Sequence, residues 1–242
     1  MIASKFVVSL RKFKLFNSIY KNCLVSMSNN ALNICDSKTR TEGEEETWIF
    51  GYGSLVWKTD FPFEERRTGF VKGFCRRFYQ NSIDHRGTHD KPGRVVTLIQ
   101  SKDPEAKVWG MGYRIGSEDT QRVLRHLDHR EKNGYDRHRV LFYPYPPSDV
   151  QTNEPKDILL YVATVDNPSF AGEGDSLEVI ARQILGAAGE SGKNPEYVYK
   201  LAEAMRKLYP GEEDEHLFEL ERILRSMDTG DGTVDLSVSK SN

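Results

Sequence analysis

The sequence predicts an α+β fold, in which a strand-rich middle is followed by a helical C-terminal part. An apolar run at residues 48–57, interrupted by two glycines, is typical of a buried strand and the loop that follows it. Short segments rich in aromatic and β-branched residues then recur between turn residues from 67 to 164. From residue 177 onward, apolar residues recur instead at helical spacing.

Size and composition indicate one folded domain with no nucleic-acid partner. A chain of 242 residues with 38% apolar side chains can bury a sizeable core. Its formal net charge of -2 gives no reason to expect that it binds nucleic acid. The apolar run at 48–57 is too short to span a membrane, so no membrane partner is expected either. Cys23, Cys35 and Cys75 lie far apart, which favours a reducing compartment without a thiolate metal site. The oligomeric state stays open.

The chain divides into three parts by composition. Residues 1–46 form a basic leader and an acidic linker, and no acidic residue precedes Asp36. The leader is either a disordered extension, which an internal start at Met27 would remove, or an organellar transit segment. Residues 47–227 are predicted to form the folded domain, and residues 228–242 a polar tail.

The two glycines of the apolar run define a candidate binding loop, here called the glycine loop, which consists of Gly51, Tyr52, Gly53, Ser54, Leu55 and Val56. Two glycines with one residue between them let the backbone turn tightly and expose consecutive N–H groups, a geometry that suits an anionic group on a small ligand. The alternative is an ordinary glycine-rich turn in which Tyr52 and Leu55 only fill space.

The strand-rich middle is predicted to begin with one long or bent strand at residues 67–82, in which Gly73 marks a bulge or a close approach of the backbone. Residues 93–100 and 106–115 are predicted to form a hairpin around the charged turn between them. Two further strands are expected before the helical part begins.

A polar loop at residues 81–94 contains several potential metal ligands, namely Asp84, His85, His89 and Asp90. It also contains three cationic residues, Arg86, Lys91 and Arg94. Because these cations would oppose a divalent metal ion, we expect a loop that reaches over a pocket and is held in shape by an ion pair between Asp84 and Arg86.

A helix is predicted from Ser117 to a stop signal at Gly134. Its apolar stripe runs through Val123 and Leu127, and one further step of four residues leads to Glu131, which is therefore expected to face inward. The helix dipole and burial both disfavour a charged carboxylate there, so we expect a raised pKa that suits proton transfer. The alternative is a surface carboxylate paired with a neighbouring basic residue.

Three helices are predicted after residue 177. Leu177, Ile180, Ile184 and Leu185 form the apolar stripe of the first. Asn194 is predicted to cap the second, with Tyr197 on its buried face.

Several motifs together resemble the ChaC family of glutathione-specific γ-glutamylcyclotransferases. They comprise the strand and glycine loop at 48–57, the loop segments at 78–88 and 92–98, the helix end at 130–135 and the strand at 161–168. The resemblance spans residues 48–225 in the family's motif order, which is more specific than any one motif.

The resemblance implies a small mixed β-barrel (γ-glutamylcyclotransferase-like) with helices packed around it, and cofactor-free cleavage of glutathione in the cytoplasm. It implies that Glu131 is the catalytic acid and base and that the glycine loop binds the substrate. Tyr135, Tyr197 and Arg86 are predicted to shape the pocket around the cysteinylglycine part. Three alternatives stay open: a binding module without turnover, a cyclotransferase for other γ-glutamyl amines, and a metal hydrolase using His85 and His89.

Overall fold

The computed structural model describes residues 46–130, 135–145, 154–163 and 166–229. The predicted leader, the polar tail beyond residue 229 and Glu131 lie outside these residues. The described strands are β1 Thr47–Gly51, β2 Glu65–Lys72, β3 Phe74–Ser82, β4 Gly93–Gln100, β5 Lys107–Ile115, β6 Tyr135–Pro144, β7 Lys156–Ala163, β8 Ala188–Gly189 and β9 Gly192–Lys193. The described α-helices are α1 Ser117–Arg130, α2 Leu177–Leu185, α3 Asn194–Leu208 and α4 Glu215–Asp228.

Five strands close into a mixed barrel in the order β1-β5-β2-β6-β7. The barrel closes through a parallel pairing of β1 with β7, where Ile49 lies opposite Leu159, while its other neighbouring strands are antiparallel. Strands β3 and β4 form a separate two-stranded sheet. The α+β class and the mixed barrel with helices are thereby confirmed.

The segment predicted as one long or bent strand at 67–82 is bent at Gly73, where it divides into β2 of the barrel and β3 of the second sheet. Gly73 has a φ of 81°, in the left-handed region that glycine adopts without strain. Its N–H donates to the carbonyl of Ala106 at 2.8 Å, and its carbonyl accepts from the N–H of Ser101 at 2.9 Å. These bonds fix the bend.

The predicted hairpin of residues 93–100 and 106–115 is wrong. β4 pairs with β3, whereas β5 pairs with β1 and β2. Strands β2 and β3 form one long arm, and β4 and β5 form a second arm that pairs with it. Lys72 lies opposite Lys107 and Phe74 opposite Gln100, so the two arms bend at the same point. The chain therefore reverses in the polar loop between β3 and β4 and not in the charged turn.

Alternate residues of β1 point to two different core clusters, as expected for a strand that is covered on both faces. Trp48 and Phe50 belong to the main cluster, which also contains the buried faces of α2, α3 and α4. Ile49 belongs to a smaller cluster with Val123 and Leu127 of α1. Helix α1 therefore shares a core cluster with the strand that leads into the glycine loop.

The C-terminal helices are attached to the barrel through Tyr209, which follows α3 and is buried. Its hydroxyl group donates to the carbonyl of Gly110 and accepts from the N–H of Gly69 at 3.0 Å, and burial raises its pKa. Leu185 was predicted in the apolar stripe of α2, but it is 38% exposed because Ala181 completes that stripe instead. None of the helices within the described ranges has the length and apolar character that a membrane crossing requires.

Candidate active site at the glycine loop

The glycine loop begins where β1 ends and closes on itself in a short 3-10 turn at Ser54–Val56. The N–H of Val56 donates to the carbonyl of Gly53 at 3.0 Å, and the N–H of Lys58 donates to that of Ser54 at 2.9 Å. Gly51, Tyr52 and Val56 are buried, while the three residues between Tyr52 and Val56 are partly exposed. The middle of the loop is therefore the part that a ligand could reach.

Both glycines of the loop are required by close packing. A β-carbon on Gly51 would lie 2.5 Å from that of Leu55, and one on Gly53 would lie 2.7 Å from the hydroxyl oxygen of Tyr197 and 3.0 Å from a methyl carbon of Val96. Carbon atoms do not approach so closely without displacement, so glycine is needed for space at both positions. The packing at Gly53 also brings α3 directly against the loop.

Two tyrosine hydroxyl groups bind the loop to the barrel. Tyr52 donates to the carbonyl of Tyr161 in β7 at 2.8 Å. Tyr113 of β5 donates to the carbonyl of Leu55 at 2.5 Å, and burial raises the pKa of Tyr113. The hydroxyl of Tyr161 in turn donates to the carboxylate of Asp128 in α1 at 3.0 Å. The loop, the barrel and the last turn of α1 are thus linked by hydrogen bonds.

The last residue of α1 contacts the loop directly. The guanidinium group of Arg130 donates to the hydroxyl of Ser54 and to both carboxylate oxygens of Asp60, the latter at 3.1 Å. Glu131 is the next residue along the chain and lies outside the described residues, so its role and raised pKa stay predictions. The described end of α1 nevertheless lies beside the loop.

Tyr197 is the predicted site residue in closest contact with the loop from the helical side. Its ring is buried and packs edge-on against Trp57 and Phe78, with centroids 5.2 Å and 6.0 Å away. Arg86 lies 5.9 Å from the centre of that ring and donates to the carbonyl of Lys193 at 2.8 Å. Arg86 is therefore placed beside Tyr197.

Tyr135 begins β6 and is partly exposed. It packs against the smaller core cluster, as does Leu55 of the glycine loop. Leu127 and Tyr161 are members of that cluster. The structure thus brings Tyr135, the loop and α1 into one neighbourhood, although a substrate contact by Tyr135 stays a prediction.

The predicted ion pair between Asp84 and Arg86 is wrong. Asp84 accepts from the N–H of His85 at 2.5 Å and from the hydroxyl of Ser82 at 3.3 Å, while the guanidinium of Arg86 is directed to α3 and lies 3.6 Å from Glu196. Arg86 is buried, and its guanidinium group finds its acceptors in Lys193 and Glu196, at the start of α3.

Asn194 is a residue whose role the sequence did not reveal. It is the first residue of α3 and fully buried, and Lys193 occupies the cap position that was predicted for Asn194. Its side chain accepts from the N–H of Arg94 at 2.7 Å and donates to the carbonyl of Arg94 at 2.9 Å. An asparagine before a proline signals a helix start, but it gives no sign of a partner in a distant strand.

The described residues contain no group of three or more His, Cys, Asp or Glu side chains positioned to hold a metal ion. Two open clefts on the described surface are not lined by the glycine loop. One, of about 540 Å³, lies between the polar loop and α2, and the other, of about 300 Å³, lies beside β3 and the start of α4. The glycine loop stays the candidate site, and the hydrogen bonds with Tyr161, Tyr113 and Arg130 and the close contact with Tyr197 meet there.

Comparison with known proteins gives a consistent result. The ChaC-like protein family matches residues 47–227. Glutathione-specific γ-glutamylcyclotransferase 1 of Rattus norvegicus is 46% identical over 172 residues, which cover 70% of this chain and 74% of that protein. The same-named protein of Homo sapiens is 44% identical over 181 residues, covering 74% and 78% of the two chains.

The fold of this chain is also similar to that of a protein with a known crystal structure. That protein is a selenomethionine-labelled γ-glutamyl cyclotransferase specific to glutathione from yeast, with 29% sequence identity and a TM-score of 0.68. The similarity covers 76% of this chain and 97% of that one. The match of residues 47–227, together with these relatives, shows that the chain belongs to the ChaC-like protein family.

Proposed function

We propose that this protein is a glutathione-specific γ-glutamylcyclotransferase, which cleaves glutathione to 5-oxoproline and cysteinylglycine. The relatives at 44% and 46% identity carry this activity in their names. The structural observation that supports it best is the contact between Arg130 and Ser54, which places the end of α1 beside the glycine loop. That arrangement suits a proton carrier that acts on a ligand bound at the loop.

The substrate supplies its own nucleophile in this reaction. The α-amine of the γ-glutamyl group attacks the γ-carbonyl, so one carbon–nitrogen bond forms within a five-membered ring and the amide bond to cysteine breaks. The ammonium group must lose a proton first, and the departing amine of cysteinylglycine must gain one. The protein therefore has to fold the substrate back on itself, transfer protons and stabilise the oxygen that becomes negative.

We assign both proton transfers to Glu131, which directly follows the helix residue that contacts the loop. A carboxylate held near the negative end of a helix is a suitable base for an ammonium group and, once protonated, a suitable acid for the leaving amine. In the glycine loop, the backbone N–H groups from Tyr52 to Leu55 would bind the substrate carboxylate or the developing oxyanion.

The cysteinylglycine half is assigned to the surroundings of the loop. Tyr197 contacts the loop at Gly53, and Arg86 lies behind its ring. Tyr135 packs against the same small cluster as Leu55. Selectivity for glutathione over other γ-glutamyl compounds is supported by the names of the relatives and by no single contact.

We propose a cytoplasmic location, as the resemblance implies. Cys75, the cysteine within the described residues, is a free thiol, which is compatible with a reducing compartment. A mitochondrial location is the alternative if the basic leader acts as a transit segment. Imaging of the full chain beside a variant that starts at Met27 separates the two, since only a transit segment makes the locations differ.

The direct test is incubation of the purified chain with glutathione, followed by measurement of 5-oxoproline and cysteinylglycine. We expect both products in equal amounts, and little 5-oxoproline from γ-glutamyl-alanine in parallel. Binding of glutathione without turnover would indicate a binding module instead. Equal turnover of both compounds would indicate a broader cyclotransferase, and loss of activity in a chelator would indicate a metal-dependent reaction.

A further inference from the structure

We propose that Arg130 is a positioning residue, which fixes the glycine loop relative to the last turn of α1 by binding the hydroxyl of Ser54. The inference rests on the proposed function, because it concerns the alignment of the loop with the helix end that precedes Glu131. Arg130 affects the rate by holding Ser54 in place and does not itself contact the substrate.

The guanidinium group is oriented by Asp60. One nitrogen of Arg130 lies 3.1 Å from each carboxylate oxygen of Asp60, and the other terminal nitrogen donates to Ser54. The side chain of Arg130 is only 21% exposed. A guanidinium group is a rigid planar fork, so an ion pair at one end sets the direction of the donor at the other. His126 lies 3.2 Å from Asp60 and helps to place that carboxylate.

A second tether acts on the other side of Gly53. Tyr52 donates to the carbonyl of Tyr161 at 2.8 Å, and the hydroxyl of Tyr161 donates to Asp128 at 3.0 Å. Asp128 also accepts from Nε of Arg137 at 2.9 Å, and it belongs to the same helical turn as Arg130. The loop is therefore bound to this helix end directly through Arg130 and indirectly through Tyr161 of β7, and the two links lie on either side of Gly53.

Two tethers of this kind restrict the loop to one distance and one orientation. Without the bond to Arg130, the segment from Ser54 to Val56 would keep the bond from Tyr113, its own turn and the core packing of Leu55 and Val56, but would lose the bond from Ser54 to the helix end. A displacement of about 1 Å between binding groups and a proton carrier can lower a rate about 100-fold, because the reacting atoms no longer meet in line. The expected effect is mainly on kcat, because the alignment of the loop with the proton carrier matters more in the transition state than in the bound substrate.

The first test uses Arg130→Met, which keeps an unbranched apolar chain like the aliphatic part of arginine and removes the donors. We expect kcat to fall about 10- to 100-fold with a change in KM of less than about threefold. Arg130→Lys should recover only part of this loss, because an ammonium group cannot reproduce the fork. The matched control is Arg122→Met on the same helix. Arg122 is 67% exposed and pairs with Asp119, so its loss should leave the rate unchanged.

A double-mutant cycle with Ser54→Ala tests whether Arg130 acts through Ser54. If it does, the double variant should lose no more activity than the more affected single variant. Multiplicative losses would overturn the proposal. It would equally be overturned by a normal kcat in Arg130→Met, or by a large rise in KM alone, which would mean that Arg130 binds the substrate itself.

Amide hydrogen exchange provides a measurement that needs no turnover. The N–H groups of Val56, Trp57 and Lys58 donate to the carbonyls of Gly53 and Ser54. We expect them to exchange faster in Arg130→Met than in the wild type, while amides of β5 and α4 stay unchanged. Unchanged exchange in the loop would overturn the proposal even if the kinetics differed. A wild type that fails to cleave glutathione would contradict the proposed function, yet the exchange result would still report on the tether.

Discussion

The hydroxyl oxygen of Tyr197 lies 2.7 Å from the position that a β-carbon on Gly53 would take. The tyrosine ring is fixed by edge-on contacts with Trp57 and Phe78, so it has little freedom to move aside. Helix α3 therefore determines which residue can stand at the centre of the glycine loop.

Replacement of Gly53 with alanine should displace the loop or the tyrosine. We expect kcat/KM for 5-oxoproline release to fall at least about 10-fold, with a modest decrease in thermal stability. Gly174→Ala is the control, because a β-carbon there meets no atom within 4 Å. Combining Gly53→Ala with Tyr197→Phe removes the atom at 2.7 Å and should recover part of the activity relative to Tyr197→Phe alone. Wild-type kinetics of Gly53→Ala would show that the close contact has no effect on catalysis.

Replacement of Glu131 with glutamine keeps the volume of the side chain and removes the proton acceptor. We expect turnover of glutathione to fall by about two orders of magnitude or more, with an unchanged circular dichroism spectrum. In the wild type, the rate should fall on the acidic side as the carboxylate becomes protonated. Glu118→Gln, at the exposed start of α1, should retain activity. Near-normal release of 5-oxoproline by Glu131→Gln would refute the assignment.

His216 should make the stability of the fold dependent on pH. Burial, reinforced by the charge of Arg77, lowers the pKa of His216 from 6.5 to about 4, and its Nε2 accepts from the N–H of Phe78 at 3.1 Å. Between pH 6.5 and pH 4 the unfolded chain binds a proton at this imidazole and the folded chain does not. Stability from this group is therefore fully present above pH 6.5 and is lost as the pH falls to about 4, by at most about 3 kcal/mol.

Urea unfolding at several pH values tests this expectation. Glutamine at position 216 can still accept from the N–H of Phe78 but does not titrate, so His216→Gln should show a weaker loss of stability between pH 6.5 and pH 4 than the wild type. His89→Gln, at an exposed position of the polar loop, should follow the wild type. Parallel curves for the wild type and His216→Gln would mean that this imidazole is not held neutral.

Local patterns in the sequence predicted the elements that surround the site. The apolar run ending in two glycines predicted β1 and its loop, and the spacing of Val123 and Leu127 predicted the buried face of α1. These predictions succeeded because the period of apolar residues and the preferences of glycine act within a few positions along the chain. The order of motifs also identified the family.

The tertiary structure decided where distant segments meet. The chain reverses in the polar loop between β3 and β4 and only bends at Gly73 and at the charged residues between β4 and β5. Pairing of the two long arms along their whole length outweighs the local turn signal at those charged residues. The bond between Arg130 and Ser54 joins residues 76 positions apart, and that between Asn194 and Arg94 joins residues 100 apart. A sequence pattern carries no record of such distances, since these contacts depend on how the helices pack on the barrel.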